Sequence, residues 1–144
     1  MNKQDQQFAS DLRTVVTRLV KKLRKQSVTG QRFSLTERSS LSLLLQHGQL
    51  LPSELAAMEK ITNQSMSQIL SHFLEDGLII RTASETDKRK VIISLTELGK
   101  QTITQVRSER DEWLSEAIQK TLSAEEQELI NKAIVPLTKL VDFE

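Results

Sequence analysis

Residues 61–99 read ITNQSMSQILSHFLEDGLIIRTASETDKRKVIISLTELG, and the fold turns on how this stretch divides. Within residues 62–76 the apolar positions Met66, Ile69, Leu70, Phe73 and Leu74 recur at the spacing of a helix that turns one face to a core. The opposite face carries Asn63, Gln64, Ser67, Gln68 and Ser71. A merely solvated helix would fill such positions with Lys and Glu, which are good helix formers. Amides and hydroxyls instead suit hydrogen bonding to base edges, and Asn or Gln pairs bidentately with adenine. Gly77 ends this helix. Leu78–Ala83 and Val91–Leu95 are then rich in Ile, Val and Leu at strand length, and they flank Ser84–Lys90 with its charged turn Asp87-Lys88-Arg89-Lys90. A polar-faced helix followed by a basic hairpin has the form of a winged helix-turn-helix docked on duplex DNA.

Upstream, Pro52 suits the first turn of a short helix through about Glu59, with Leu55 and Ala56 inward. Lys60-Ile61 makes the turn and Thr62 caps the next helix, so two short helices with a tight connection form the helix-turn-helix. Before them, Thr36 is expected to cap a helix with Leu41, Leu44 and Leu45 inward, stopped by Gly48. Gln26–Phe33, with Gly30, reads as a polar break. The stripe Phe8, Leu12, Val15, Val16, Leu19, Val20 and Leu23 predicts a first helix over residues 5–25.

Downstream, Thr96 caps a helix with Ile103, Val106, Trp113, Leu114, Ala117, Ile118 and Leu122 on its apolar side. Unbroken to Leu122 it would span roughly 40 Å, so it bends or projects beyond a domain of this size. Ser123 and Glu126 form a capping box for a last helix, striped by Leu129, Ile130, Ala133, Ile134, Leu137, Leu140 and Val141. Pro136 is expected to kink that helix or interrupt one hydrogen bond.

The fold class is therefore mainly α with a small β-hairpin, in a single domain over residues 1–144. A winged lobe occupies 34–96, and helical regions at 5–25 and 97–144 carry more apolar stripe than a core of about 65 residues covers. Homodimerisation is the economical answer, with Phe8, Leu12, Trp113, Ile130, Ile134, Leu137, Leu140 and Val141 at the interface. A two-fold dimer would place two reading helices about one helical turn apart on one DNA face, and so predicts a pseudo-palindromic operator.

Composition excludes several classes. The chain has no cysteine, hence no disulfide framework, thiolate metal site or thiol redox sensor, which fits a reducing cytoplasm. Met1–Ser10 is polar apart from Phe8, and no apolar run approaches the roughly 20 residues of a membrane helix, so a soluble, cytoplasmic protein is expected. There is no Gly-rich phosphate loop and no His–carboxylate set, and His47 and His72 are isolated, so neither catalysis nor a metal or other cofactor is expected. Net charge is only +1, but residues 11–32 hold seven bases against Asp11, whereas residues 97–144 hold ten acids against six bases. Arg18, Lys21, Lys22 and Lys25 read as solvated surface, with an anionic effector contact as the sharper alternative. Arg81 either pairs with an acid inside the lobe or meets a phosphate.

The string LPSELAAMEKITNQSMSQILSHFLEDGLIIRTASETDKRKVIISLTELGK, Leu51–Lys100, resembles the MarR (multiple antibiotic resistance regulator) transcription factors. Its marks are Leu55-Ala56, the Leu74–Gly77–Leu78–Ile79 ending of the polar-faced helix, Arg81, Asp87 and Arg89, and Thr96 to Gly99; Leu35-Thr36 extends the match, and length and helix order agree along the whole chain. The resemblance implies a dimeric repressor with Thr62, Asn63, Gln64, Ser65, Ser67, Gln68 and Ser71 in the major groove. It places Arg89 in the flanking minor groove, Asp87 either holding Arg89 or shaping the wing rather than touching DNA, Lys88 and Lys90 on phosphates, and Ser53 as a phosphate donor together with nearby backbone N–H groups. Many members release DNA when a small aromatic or anionic ligand binds between the dimer helices and the reading lobe. The competing reading is a winged-helix module that binds protein, for which exposed apolar residues on the wing would be expected in place of Arg89.

Overall fold

A computed structural model describes residues 1–144. Helix α1 (Lys3–Lys25) leads through a 3-10 turn (Thr29–Arg32) to α2 (Leu35–His47), and strand β1 (Gln49–Leu50) follows directly. Helices α3 (Pro52–Glu59) and α4 (Asn63–Glu75) come next, then the hairpin of β2 (Ile79–Ala83) and β3 (Val91–Leu95). Two helices, α5 (Glu97–Thr121) and α6 (Ala124–Val141), complete the chain. This is the mainly helical, winged helix-turn-helix fold that the sequence predicts.

Local chemistry explains the boundaries, including two that differ from expectation. Helix α1 starts at Lys3 because Asn2 caps it, its Oδ1 accepting from the Asp5 backbone N–H at 2.8 Å. Helix α2 is capped by Ser34 and not by Thr36: Ser34 Oγ accepts from the Glu37 N–H at 3.1 Å, while the Glu37 carboxylate accepts from the Ser34 N–H at 2.9 Å. Only Ser34 has a Glu three residues on, which makes the reciprocal pair available to it alone. Gly48 ends α2 with φ +80°, a backbone region that a Cβ disfavours.

The sheet has three strands, one more than the expected hairpin, in the order β1-β3-β2 and antiparallel throughout. Gln49 pairs with Ser94 and Leu50 with Ile93, while β2 and β3 run in register from Ile79 opposite Leu95 to Ala83 opposite Val91. Two residues are too few to display an alternating pattern, so β1 is invisible until β3 is placed beside it.

One core lies beneath the sheet, built from Leu41 and Leu44 of α2, Leu55 of α3, Met66, Leu70 and Phe73 of α4, Leu78, Ile79, Ile93 and Leu95 of the hairpin, and Ile103 and Val106 of α5. Leu74 is outside it at 41% exposure, contrary to its apolar spacing. One residue beyond Phe73 rotates the side chain by about 100°, off the arc that the core can cover. The polar break is likewise not a solvated loop: Ser27, Gly30 and Phe33 are buried, and Phe33 meets Phe73 edge-on at 6.3 Å between ring centres.

Helix α5 runs unbroken for 25 residues, about 37 Å. Its first turns bury Gly99, Thr102, Ile103 and Val106 against the winged lobe. The attachment is close: Thr96 Oγ1 donates to the Gly77 carbonyl at 2.6 Å, the Thr96 N–H donates to Leu78 O at 3.0 Å, and a Cβ at Gly99 would stand 2.1 Å from that same oxygen. Helix α6, capped by Ser123 and Glu126 as expected, continues through Pro136 and buries no residue at all.

Candidate nucleic-acid interface

Helix α4 presents the uncharged face. Thr62 caps it, accepting from the Ser65 N–H at 3.0 Å, and the Thr62 hydroxyl donates to Ser65 Oγ at 3.0 Å. Those two hydroxyls are thus engaged in holding the helix start. Asn63, Gln64, Ser67, Gln68 and Ser71 are all exposed. With Met66, Leu70 and Phe73 anchored in the core, the polar side is fixed outward, and its amides and hydroxyls keep their full hydrogen-bonding capacity.

The start of α3, the start of α4 and the base of the wing enclose a groove of about 350 Å³, lined by Leu51, Pro52, Ser53, Asn63, Ser67, Lys90 and Val91. The structure therefore gathers Ser53, Asn63, Ser67 and Lys90 around one depression. Gln64, Gln68 and Ser71 continue from it along the exposed side of α4.

The wing loop holds itself in shape. Ser84, buried at the end of β2, accepts through Oγ from the N–H groups of Thr86 and Asp87, each at 3.3 Å, and its own N–H donates to Lys90 O at 2.9 Å. Asp87 Oδ1 then accepts from the Arg89 backbone N–H at 3.1 Å and from Arg89 Nε at 3.2 Å. Arg89 remains 92% exposed along its side chain, so one terminus of the guanidinium is pinned while the rest faces outward. Lys88 and Lys90 are exposed on either side. Ser84 lies outside the expected site, although a serine followed at two and three residues by Thr86 and Asp87 is a turn signal.

Arg81 is exposed on β2, opposite Ile93, and forms no ion pair with any acid of the chain. His72 is exposed in the last turn of α4. The residues expected at a dimer interface lie elsewhere, on α1, α5 and α6. Phe8 is 71% and Ile134 55% exposed, and Ile130, Leu140 and Val141 are exposed as well. Leu12, Trp113 and Leu137 are half-buried, and Lys22 of α1 lies over the Trp113 ring at 5.9 Å.

Between these two surfaces Glu109 of α5 fastens the 3-10 turn. Its carboxylate accepts from Ser27 Oγ at 2.7 Å, from the Thr29 N–H at 3.2 Å, from Thr29 Oγ1 at 3.1 Å and from Gln105 Nε2 at 3.3 Å. These donors, the Ser27 hydroxyl foremost, hold its pKa below the ordinary carboxylate value. Neither Ser27 nor Glu109 stood out in the sequence, because their partners lie about 80 residues away.

Comparison with known proteins bears on this geometry. The MarR family model matches residues 33–91. An uncharacterized HTH-type transcriptional regulator of Mycobacterium bovis is 31% identical over 138 residues, covering 96% of this chain and 95% of the relative. The crystal structure of a Pseudomonas aeruginosa PA01 protein ascribed to transcriptional regulation is 32% identical with a TM-score of 0.83, over 99% of this chain and 100% of that one. The fold is also that of an S. aureus MepR mutant bound to an oligodeoxyribonucleotide, at 20% identity and a TM-score of 0.69, over 93% of this chain and 97% of the other.

Proposed function

The chain belongs to the MarR family of DNA-binding transcriptional regulators, and from that premise we propose that it acts as a homodimeric repressor reading a pseudo-palindromic operator. The observation that carries this reading is the face of α4: five amide and hydroxyl side chains exposed beside a basic wing. In this reading Asn63, Gln64, Ser67, Gln68 and Ser71 meet base edges in the major groove, with Thr62 and Ser65 setting the start of the helix. Arg89 enters the flanking minor groove, oriented by Asp87, while Lys88, Lys90, Ser53 and Arg81 meet phosphates.

Dimerisation is supported by helix α6, which buries nothing within one chain while exposing Ile130, Ile134, Leu140 and Val141. An amphipathic helix owes its stability to packing, so this face calls for a second copy. Phe8 and Leu12 on α1, with Leu137 and Trp113, would extend the same interface. The family relationship also supports release from DNA by a small aromatic or anionic effector. The loop Ser84–Lys90 contains no apolar side chain, which speaks for nucleic acid over a protein partner, although Ile80 and Val91 of the strands are exposed.

Selection of genomic fragments with the purified protein, followed by titration of the recovered fragments at two salt concentrations, tests the proposal. Enrichment of one inverted repeat with half-sites about a helical turn apart supports it. Recovery of arbitrary sequence held only at low salt would instead point to the protein-binding alternative.

A further inference from the structure

The backbone takes a positive φ at three residues, and two of them are glycines: Gly48 at the end of α2, φ +80°, and Gly77 after α4, φ +72°. The third is Lys60, in the turn between α3 and α4, with φ +57° and ψ +42°. A Cβ is disfavoured in this left-handed region, so a lysine there works against the backbone.

The turn itself has no need of the side chain. Helix α3 is closed by backbone groups alone: the Lys60 N–H donates to Ala57 O at 3.2 Å, and the Ile61 N–H donates to Ala56 O at 3.1 Å. Glycine would make the same bonds without the steric penalty. Nor does the chain hold the ammonium. Lys60 is exposed and belongs to none of the ion pairs Arg32–Asp76, Arg89–Asp87, Lys120–Glu116 and Lys132–Glu128. The adjacent carboxylate, Glu59, is engaged elsewhere, accepting from Ser39 Oγ of α2 at 2.6 Å. A cation does suit the negative end of α3, but that contribution serves stability and predicts nothing about DNA.

Position supplies the rest. Lys60 stands two residues before Thr62, the cap of α4, and residues 61–74 contain no Asp or Glu. A phosphate approaching this side of α4 therefore meets no carboxylate from the turn or from most of the helix. Where the N-terminal residues of a recognition helix reach base edges, the turn leading into that helix lies at the rim of the groove. Helix α3 has eight residues, about 12 Å, close to the roughly 12 Å width of the major groove. Ser53 lies in its first turn and Lys60 follows its last residue.

We propose that Lys60 is a DNA-backbone contact, its ammonium meeting a phosphate on the bank of the major groove opposite the one that Ser53 meets. Helix α3 then spans the groove between two phosphate contacts and sets how α4 is seated in it. Such a contact adds affinity and carries no base preference. The left-handed backbone at Lys60 is kept for the side chain it bears, a local cost retained where function uses it. The inference rests on the reading of α4 as a DNA-binding helix, and the experiment keeps the two apart.

Fluorescence anisotropy follows the parent, Lys60→Gly and Lys60→Arg on a fragment recovered by selection and on a scrambled duplex of equal length, each over a range of salt. Melting curves are recorded on the same proteins without DNA. For Lys60→Gly the expected result is a melting temperature at or above the parent's, together with an affinity loss of about fivefold or more at about 0.1 M salt. The loss should be equal on both duplexes, and the slope of log affinity against log salt should fall by about one. Lys60→Arg should keep the parent's slope, since the charge remains. Unchanged affinity and slope for Lys60→Gly overturn the assignment. A melting temperature below the parent's also overturns it, because the lysine would then be serving the fold. A parent that binds neither duplex refutes the DNA reading itself, and Lys60 with it, an outcome visible before any variant is made.

Discussion

Replacing Gly99 by Ala is the sharpest test of how the long helix is attached, because two general rules predict opposite signs. Helix propensity alone favours Ala over Gly by up to about 1 kcal/mol. The packing says otherwise: the new Cβ would stand 2.1 Å from the Leu78 carbonyl oxygen, and also 3.1 Å from Leu95 Cδ2. The obstacle is backbone, which cannot swing aside as a flexible side chain would. To restore even 3.0 Å, α5 must retreat from the Leu78 carbonyl by about 0.9 Å. That movement stretches the Thr96 N–H bond to Leu78 O, now 3.0 Å, and the Thr96 Oγ1 bond to Gly77 O, now 2.6 Å. Each hydrogen bond contributes about 0.5–1.5 kcal/mol, and overpacking of a tight contact adds about 1–3 kcal/mol. Set against the propensity gain, the net expectation is a loss near 3 kcal/mol. With a urea dependence of about 2 kcal/mol/M, the unfolding midpoint should fall by roughly 1.5 M. The assay is equilibrium urea unfolding of parent and variant at one protein concentration, since association would otherwise shift the midpoint. An unchanged or higher midpoint for Gly99→Ala would refute the close approach of α5 to the Leu78 carbonyl.

Arg89→Ala should weaken operator binding and lower the slope of log affinity against log salt by about one if the guanidinium meets a phosphate; an unaltered isotherm at several salt concentrations removes the wing from the mechanism. Gln64→Ala or Gln68→Ala should each cost about 1–3 kcal/mol at particular base pairs, read by titrating single-base operator variants, and a uniform loss over all sequences would show that neither side chain reads a base. Ending the chain at Ser123 removes α6 and should yield a monomeric or unstable product in analytical ultracentrifugation; a stable dimer would displace the proposed interface. The depressed pKa of Glu109 gives a stability contribution that is fully present above the ordinary value of 4.5 and is lost as pH falls through the lower folded value. Glu109→Gln should therefore lower the urea midpoint at neutral pH, and its deficit should shrink below about pH 4.5; a pH-independent deficit would leave the Ser27 and Thr29 bonds without an electrostatic role.

The elements that carry the candidate interface were legible in the residues because their signals are local. The 3.6-residue spacing of Met66, Leu70 and Phe73 fixes which side of α4 is free, and Thr62, Ser123 and Glu126 cap helices through partners three residues away. The hairpin was readable from two runs of branched residues around a charged turn. The same locality accounts for Ser34, whose box with Glu37 lies within four residues and was available to be read in place of Thr36.

What tertiary structure alone decided are features whose partners come from distant segments. Strand β1 exists because Ser94 and Ile93 offer it a pairing edge, not because two residues prefer to be extended. Leu74 is exposed because the core ends at its side of α4. Arg38 reads as solvated surface in any sequence, since a guanidinium is costly to bury. It is buried here because the carbonyls of Gly30 and Arg24 converge on it, while Val106 of α5 stands close to the same glycine. Periodicity and caps are written in neighbouring residues. A buried charge and a helix laid on a carbonyl depend on segments brought together only when the chain folds.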